Sequence, residues 1–474
     1  MILSVPELDG GRVPDVCIIG SGPAGMTLAV ELHRAGHDVL VLEAGGEGLT
    51  GESQEVYAGE VRGVDYYDLT VSRLRFLGGS SNHWAGLCRP LGAIDFEPKD
   101  AHPDTGWPIG KADLDPYSET AREILELDTP FEDTPLSDGL VSLDFKESDP
   151  PVRFGPKYIG EFEQAERLSV CLNANLTGLD TEAGRVTAAH VRDYDDNTAR
   201  VEAGIFVLAC GGIENSRLLL HFNAESEGRL VPQAATLGRY WMEHPHFTRA
   251  AGAFMDISFD EQTYLSLDAA GQRELGILNG TVHLGLSPPE RDGWLRDMAA
   301  DLACRAPAIG GWIWDRMGRN LACGARVNAV AEMAPQRDNR VTLSETERDM
   351  FDIPSPVVHL DYGPEAFDSV RQSLLRVGEY LAHTDRGRLR MEPWLAEGES
   401  PPEGAVRGGH HHMGGTRMSR RAEDGIVDAD LKVRGQDNLY VAGSSVFPSA
   451  GHANPTFTIV QLSLRLADHL NRRI

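Results

Sequence analysis

The stretch Asp15-Val-Cys-Ile-Ile-Gly20-Ser-Gly22-Pro23-Ala24-Gly25 decides the fold. Its apolar, β-branched opening reads as a buried strand, and Ala24, Leu28 and Leu32 follow at helical spacing. Asp38-Val-Leu-Val-Leu-Glu43 then reads as a second buried strand. Strand, helix and parallel strand in that order demand a right-handed crossover. The glycines stand where a dinucleotide needs them. Gly20 permits a tight turn, Gly22 lets the backbone approach a pyrophosphate, and Gly25 allows close helix packing. Pro23 and Ala24 open a helix whose N-terminus favours phosphate charge. Glu43, about 20 residues on, is placed to bond both ribose hydroxyls. A bare turn between strand and helix would not require that acid. A carboxylate there also disfavours a phosphate on the ribose, which leaves FAD or NAD rather than NADP.

Two later runs have the same character: Gly204-Ile-Phe-Val-Leu-Ala209 and Asn438-Leu-Tyr-Val-Ala442. Each ends in glycines before a helix-like pattern, so both are expected in the same sheet. The intervening chain differs. Residues 130–151 are acidic and Pro-rich, and residues 250–395 mix short alternating runs, Arg340-Val-Thr-Leu-Ser344 and Val357-Val-His-Leu-Asp-Tyr362, with a helix-like stretch at 366–381. An antiparallel sheet with helices on one face fits that mixture. The Gly- and Pro-rich residues 397–409 read as a loop returning to the first domain. The nucleotide-binding domain is therefore expected to be assembled from separated pieces.

Length and composition narrow the class. At about 150 residues per domain, 474 residues give two or three domains or one interleaved fold. With 72 acidic against 44 basic residues the net charge is -28, a field that repels phosphate backbones and anionic lipid. Nucleic acid is thereby excluded as an expected partner. No basic, apolar leader opens the chain and no run of roughly 18 apolar residues occurs, so no membrane insertion and a cytoplasmic location are expected. The six cysteines are scattered without C-x-x-C spacing, and Cys17, Cys171 and Cys210 lie in strand-like runs. They read as reduced core residues, with no metal site expected.

Five further pieces choose between the dinucleotides: Gly78-Gly-Ser-Ser-Asn-His-Trp84, Val207-Leu-Ala-Cys-Gly-Gly-Ile-Glu-Asn-Ser-Arg-Leu218, Leu237-Gly-Arg-Tyr-Trp-Met-Glu-His-Pro245, His412-Met-Gly-Gly-Thr-Arg-Met418 and Gly451-His-Ala-Asn-Pro-Thr456. In this order they resemble the glucose-methanol-choline (GMC) FAD-dependent oxidoreductases, and within them the pyranose oxidase-like branch that pairs His with Asn. The resemblance implies an α/β fold in which a Rossmann-like FAD-binding domain (1–95, 165–247 and 408–474) is interleaved with an α+β substrate-binding domain (96–164 and 248–407). The second domain would be built on an antiparallel sheet, as in p-hydroxybenzoate hydroxylase.

The resemblance also implies the site. His412 would be the base that takes the alcohol proton, and Asn454 would hold the substrate oxygen. A neutral imidazole with a pKa near working pH suits the first role. FAD would contact Gly20, Gly22, Pro23, Ala24, Gly25, Glu43, Ala44, Leu176, Ala209, Gly211 and Glu214. The ring end would add Gly78, Gly79, Ser80, Asn82, His83, Trp84, Gly443, Ser444, Asn454, Pro455 and Thr456. Gly78 and Gly79 offer bare amides where a side chain would clash. His83 occupies the place of a histidine that some sugar oxidases link covalently to the flavin, and the same run could hold FAD non-covalently. His411 and His452 are candidate substrate contacts, with scaffolding as the alternative. The run Glu243-His-Pro-His246 either lines the cavity or fixes a turn. The expected reaction is oxidation of CH-OH to carbonyl on a sugar, glycoside or related polyol, with dioxygen, a quinone or a protein as acceptor. A sterol or small-alcohol oxidase and a non-redox FAD-containing lyase or isomerase are the alternatives.

Overall fold

The computed structural model describes residues 1–9, 11–99, 106–255, 262–286 and 324–474. Its centre is a six-stranded sheet in the order Ile2–Leu3, Leu168–Cys171, Val39–Leu42, Val16–Ile19, Ile205–Leu208, Leu439–Val441. Every pairing in it is parallel. The four-residue strands are buried at every position, as expected of a parallel sheet covered on both faces. Helix Pro23–Arg34 carries the chain from Val16–Ile19 to Val39–Leu42 and packs against the C-terminal helix Thr456–Asn471. Cys17 and Cys171 sit in the sheet, whereas Cys210 follows the end of its strand. Burial pushes all three thiols up. Cys304 and Cys323 lie outside the described residues.

An antiparallel sheet stands beside it, running Gly387–Met391, Pro245–Met255, Gly324–Ala331, Gly280–Leu286, Gln262–Leu267, Leu140–Leu143, Thr134–Pro135. Val406–Gly408 joins Pro245–Phe247, so the expected return loop carries a short strand. Helix Gly363–His383 lays Ala366, Val370, Leu374, Val377 and Leu381 on this sheet, a stripe at 3.6-residue spacing. The 366–381 expectation thus lies inside a longer helix. All strands of the parallel sheet come from the segments expected to hold FAD. One small sheet crosses that division, because Glu60–Gly63 pairs in parallel with Pro354–Leu360. The substrate-domain segments fall partly outside the described residues.

Candidate active site

The parallel strands end together: Ile19 lies beside Leu42 on one side and Leu208 on the other. Strand order reverses direction at Val16–Ile19, the position at which open α/β sheets leave a ligand crevice. A cavity with an empty volume of about 1770 Å³, open to solvent, begins there.

Its floor is bare backbone. Gly20 has φ +105°, and a Cβ on it would meet the Ala209 carbonyl oxygen at 2.6 Å. A Cβ on Gly25 would lie 1.9 Å from the Gly20 carbonyl oxygen, so helix and turn touch only because residue 25 is glycine. A Cβ on Gly22 would meet nothing within 4 Å, and the same holds for Gly211; both face the cavity. Gly79 closes over Gly22, its Cβ position 3.2 Å from the Gly22 Cα. Pro23 and Ala24 line the cavity beside these amides. Glu43 is buried at the rim. Its Oε2 accepts the Ser21 N–H at 3.0 Å together with the Ser21 hydroxyl, and its Oε1 accepts the Gly45 N–H at 2.8 Å. Oε2 already takes two donors and Oε1 one, so a ribose hydroxyl can add to Oε1. Ala44, Leu176 and Glu214 line an adjoining recess of about 510 Å³ that shares Gly20, Glu43 and Cys210 with the main cavity. Burial alone would raise the Glu214 carboxyl, but Arg217, Arg73 and Arg75 outweigh it and hold it below the usual range. Glu214 thus closes the recess through ion pairs, to Arg217 at 2.7 Å and Arg73 at 3.3 Å. A bare-backbone cradle at a helix N-terminus, with an acid on the neighbouring strand, fits an adenine dinucleotide.

The other end gathers the titratable groups. His83, His412, Asn454, Ser80, Trp84, Gly443 and Ser444 line the same cavity, as do Pro455 and Thr456 at the start of the C-terminal helix. His412 is fixed by its backbone: Ser444 Oγ donates to its carbonyl at 2.6 Å, and Met413 pairs with Met242 in a two-way bridge. Behind it, a Cβ on Gly212 would lie 2.1 Å from the His412 carbonyl oxygen. Burial, with Arg73, His410 and His83 nearby, holds the His412 pKa well below its ordinary value, so the ring is a neutral base. Tyr66 OH lies 3.0 Å from His412 Nε2 and donates to Glu243 Oε2. The tyrosine proton being committed to Glu243, His412 donates from Nε2 and keeps its lone pair on Nδ1. The Asn454 amide forms no hydrogen bond with any described side chain.

Other expected residues are placed differently. Asn82 spends its amide on the Leu77 and Gly79 carbonyls, both at 2.9 Å, and shapes the loop rather than facing the cavity. Gly78 donates its N–H to Ser21 Oγ at 3.0 Å. Trp84 is anchored by a 2.7 Å bond from its indole N–H to the Val152 carbonyl. His411 lines the cavity with Nδ1 2.9 Å from His244 Nδ1. His452 is not in the lining; it is buried near Phe145 with both ring nitrogens unpaired. Both readings of the Glu243 run hold, for different residues. His246 lines the cavity, while Glu243 accepts the backbone N–H groups of His244 and His411 at 2.8 and 2.7 Å. Tyr66 and Trp241 have rings that flank His412; Tyr66 carried no signal in the sequence, whereas Trp241 lies in the Leu237–Pro245 run with nothing to single it out.

The histidine cluster also sets an acid limit. Burial lowers His244 and His452 to about 3 and His246 to about 4. Unfolded histidines titrate near 6.5, so between roughly pH 6.5 and 4 the unfolded chain binds protons that the folded one refuses. Stability is therefore full above that window and falls as pH drops through it. Thermal unfolding should show a loss of Tm from pH 7 to 5 that His452→Gln reduces; an unchanged slope would remove His452 from the cause.

Comparison with known families agrees with this geometry. A family model described as FAD dependent oxidoreductase matches residues 15–303, well over half of the chain, and one described as GMC oxidoreductase matches residues 335–463. The chain belongs to the GMC family of FAD-dependent oxidoreductases. Among relatives of this GMC oxidoreductase, the fructose dehydrogenase large subunit of Gluconobacter japonicus is 27% identical over 66% of the chain, and the match spans 56% of that protein. The 6'''-hydroxyparomomycin C oxidase of Streptomyces lividus is 26% identical over 97% of the chain and 92% of its own length. The pyridoxine 4-oxidase structure from Mesorbium loti shares the fold, with a TM-score of 0.59 at 16% identity over 97% of this chain and 99% of that one. No helix among the described residues is long and apolar enough to cross a membrane.

Proposed function

We propose that this GMC oxidoreductase oxidises a CH-OH carbon of a neutral sugar or glycoside to the carbonyl, with His412 as base and Asn454 holding the substrate oxygen. The observation that carries it is a neutral, buried imidazole on the cavity wall together with an unspent amide on the helix-start loop. FAD supplies the hydride acceptor when bound. His412 accepts the hydroxyl proton on the nitrogen that Tyr66 leaves free. Asn454 orients the alcohol, and the N-terminus of helix Thr456–Asn471 directs partial positive charge into the same end of the cavity.

The lining argues for an uncharged substrate. Glu43 is the one carboxylate among the described lining residues, and it stands at the phosphate end. The His412 end offers rings, hydroxyls and amides, and its guanidinium, Arg73, is already paired with Glu214, so the wall matches polyol hydroxyls and gives an ammonium no counter-charge. Turnover with an artificial electron acceptor tests this: neutral hexoses and glycosides should exceed amino sugars in kcat/KM by roughly tenfold or more, the worth of one unpaired buried charge contact. Preference for the amino sugars would overturn it. Denaturation tests the covalent reading of His83, whose ring lines the cavity and bonds no described residue. Flavin that stays with the chain establishes the link, and flavin released leaves His83 a wall residue.

A further inference from the structure

Glu243 is fully buried yet is not part of the cavity wall. Four donors converge on it: the backbone N–H groups of His244, His411 and Gly409, and the Tyr66 hydroxyl. Such a set favours the carboxylate, whereas burial pushes the group up, to about 7. A carboxyl balanced between its two forms, one hydrogen bond away from a tyrosine that touches the base, is arranged to receive a proton. Burial also raises the Tyr66 hydroxyl well above its ordinary value, with Glu243 adding to it, so Tyr66 passes a proton on rather than keeping a negative charge.

We propose that Tyr66 and Glu243 form the proton exit of the site, His412 releasing its Nε2 proton through the Tyr66 hydroxyl to the Glu243 carboxylate as Nδ1 takes the proton of the alcohol. The proposal rests on the alcohol-oxidation reading. Its balance is complete: the carbon-bound hydrogen leaves with its electron pair to FAD, and the C–O bond becomes a carbonyl. The O–H proton goes to His412 Nδ1, the Nε2 proton to Tyr66 Oη, and the Tyr66 proton to Glu243 Oε2. His412 ends neutral as the other tautomer, and Glu243 ends as the neutral acid. Both are positioning residues with respect to the substrate, because they act through His412. The groups that face this chain are Tyr362 and Tyr67 around Tyr66, Tyr362, His244, His246 and His411 around Glu243, and Arg73, His410 and His83 around His412. Burial keeps these histidines neutral, so none of them competes for the proton near neutrality.

The test uses FAD-loaded protein and two variants, Tyr66→Phe and Glu243→Gln. Tyr66→Phe retains the ring against Trp241 and His412 and serves where loss of the buried carboxylate impairs folding. Two readouts are compared. In the first, the rate of anaerobic flavin reduction by the best alcohol should rise through a midpoint near the Glu243 value as that group becomes a carboxylate. Either variant should slow the reduction by about ten- to a hundredfold and abolish the midpoint. In the second, made without substrate, nitrogen-15 signals of the His412 ring should shift with the same midpoint between about pH 6 and 8 in the wild type and stay flat in both variants. Ring signals that do not respond in the wild type, or a midpoint kept by both variants, would overturn the relay. If no alcohol reduces the flavin, the alcohol-oxidation reading fails, while the ring signals still decide whether Glu243 and His412 are linked.

Discussion

Replacing His412 with alanine should slow anaerobic reduction of the bound flavin by about two to four orders of magnitude, the usual worth of a positioned general base. FAD content should not change, because the expected cradle is built by other residues, Gly20, Gly22, Gly25, Glu43 and Gly79. The loop should also survive, since what holds it is the His412 carbonyl and the Met413–Met242 bridge rather than the ring. Stopped-flow absorbance against intact protein of equal flavin content makes the comparison. An unchanged reduction rate would remove His412 from the chemistry.

Gly25→Val should weaken FAD binding by about a hundredfold. The first side-chain carbon would sit 1.9 Å from the Gly20 carbonyl oxygen, closer than any bonded pair but a covalent one tolerates, and the obstacle is backbone. Relief requires helix Pro23–Arg34 to move away from the turn proposed to cradle the pyrophosphate. Overpacking of this kind costs about 3 kcal/mol or more, and if it all falls on the cofactor the affinity drops about a hundredfold. Gly160→Ala is the matched control, since a Cβ there meets nothing within 4 Å and the position lies inside helix Phe154–Gln164. Flavin-to-protein ratio after gel filtration reads the effect. Full occupancy in Gly25→Val would show that the close packing of turn and helix is dispensable.

Legibility in the sequence followed the range of the interactions. Val16–Ile19, Val39–Leu42 and Ile205–Leu208 were readable because a strand buried on both faces must be apolar throughout, and because their glycines and Glu43 stand within one supersecondary unit. Ile2–Leu3 is too short to carry a pattern, and Leu168–Cys171 reads as a strand without revealing which sheet it joins. Glu60–Gly63 is largely exposed and polar, and only its partner Pro354–Leu360, some three hundred residues later, makes it a strand. The site divides in the same way. The motifs that carry His412 and Asn454 were legible, and both residues line the cavity. Tyr66 was not, since its importance comes from joining Glu243 and His412, three positions brought together only by the folded chain. Glu243 was visible as part of a polar run, but whether it faced the cavity or fixed a turn depended on Gly409 and His411, which lie on a different segment.

The most direct measurement of the central claim is an anaerobic visible spectrum of the purified protein, titrated with a panel of sugars, glycosides, sterols and simple alcohols. Bleaching of the visible flavin band by neutral sugars or glycosides is the predicted result, and the alcohol that bleaches it at the lowest concentration names the substrate class. A bound flavin that chemical reductant bleaches but no alcohol does would contradict the account and direct attention to non-redox lyase chemistry in the same cavity.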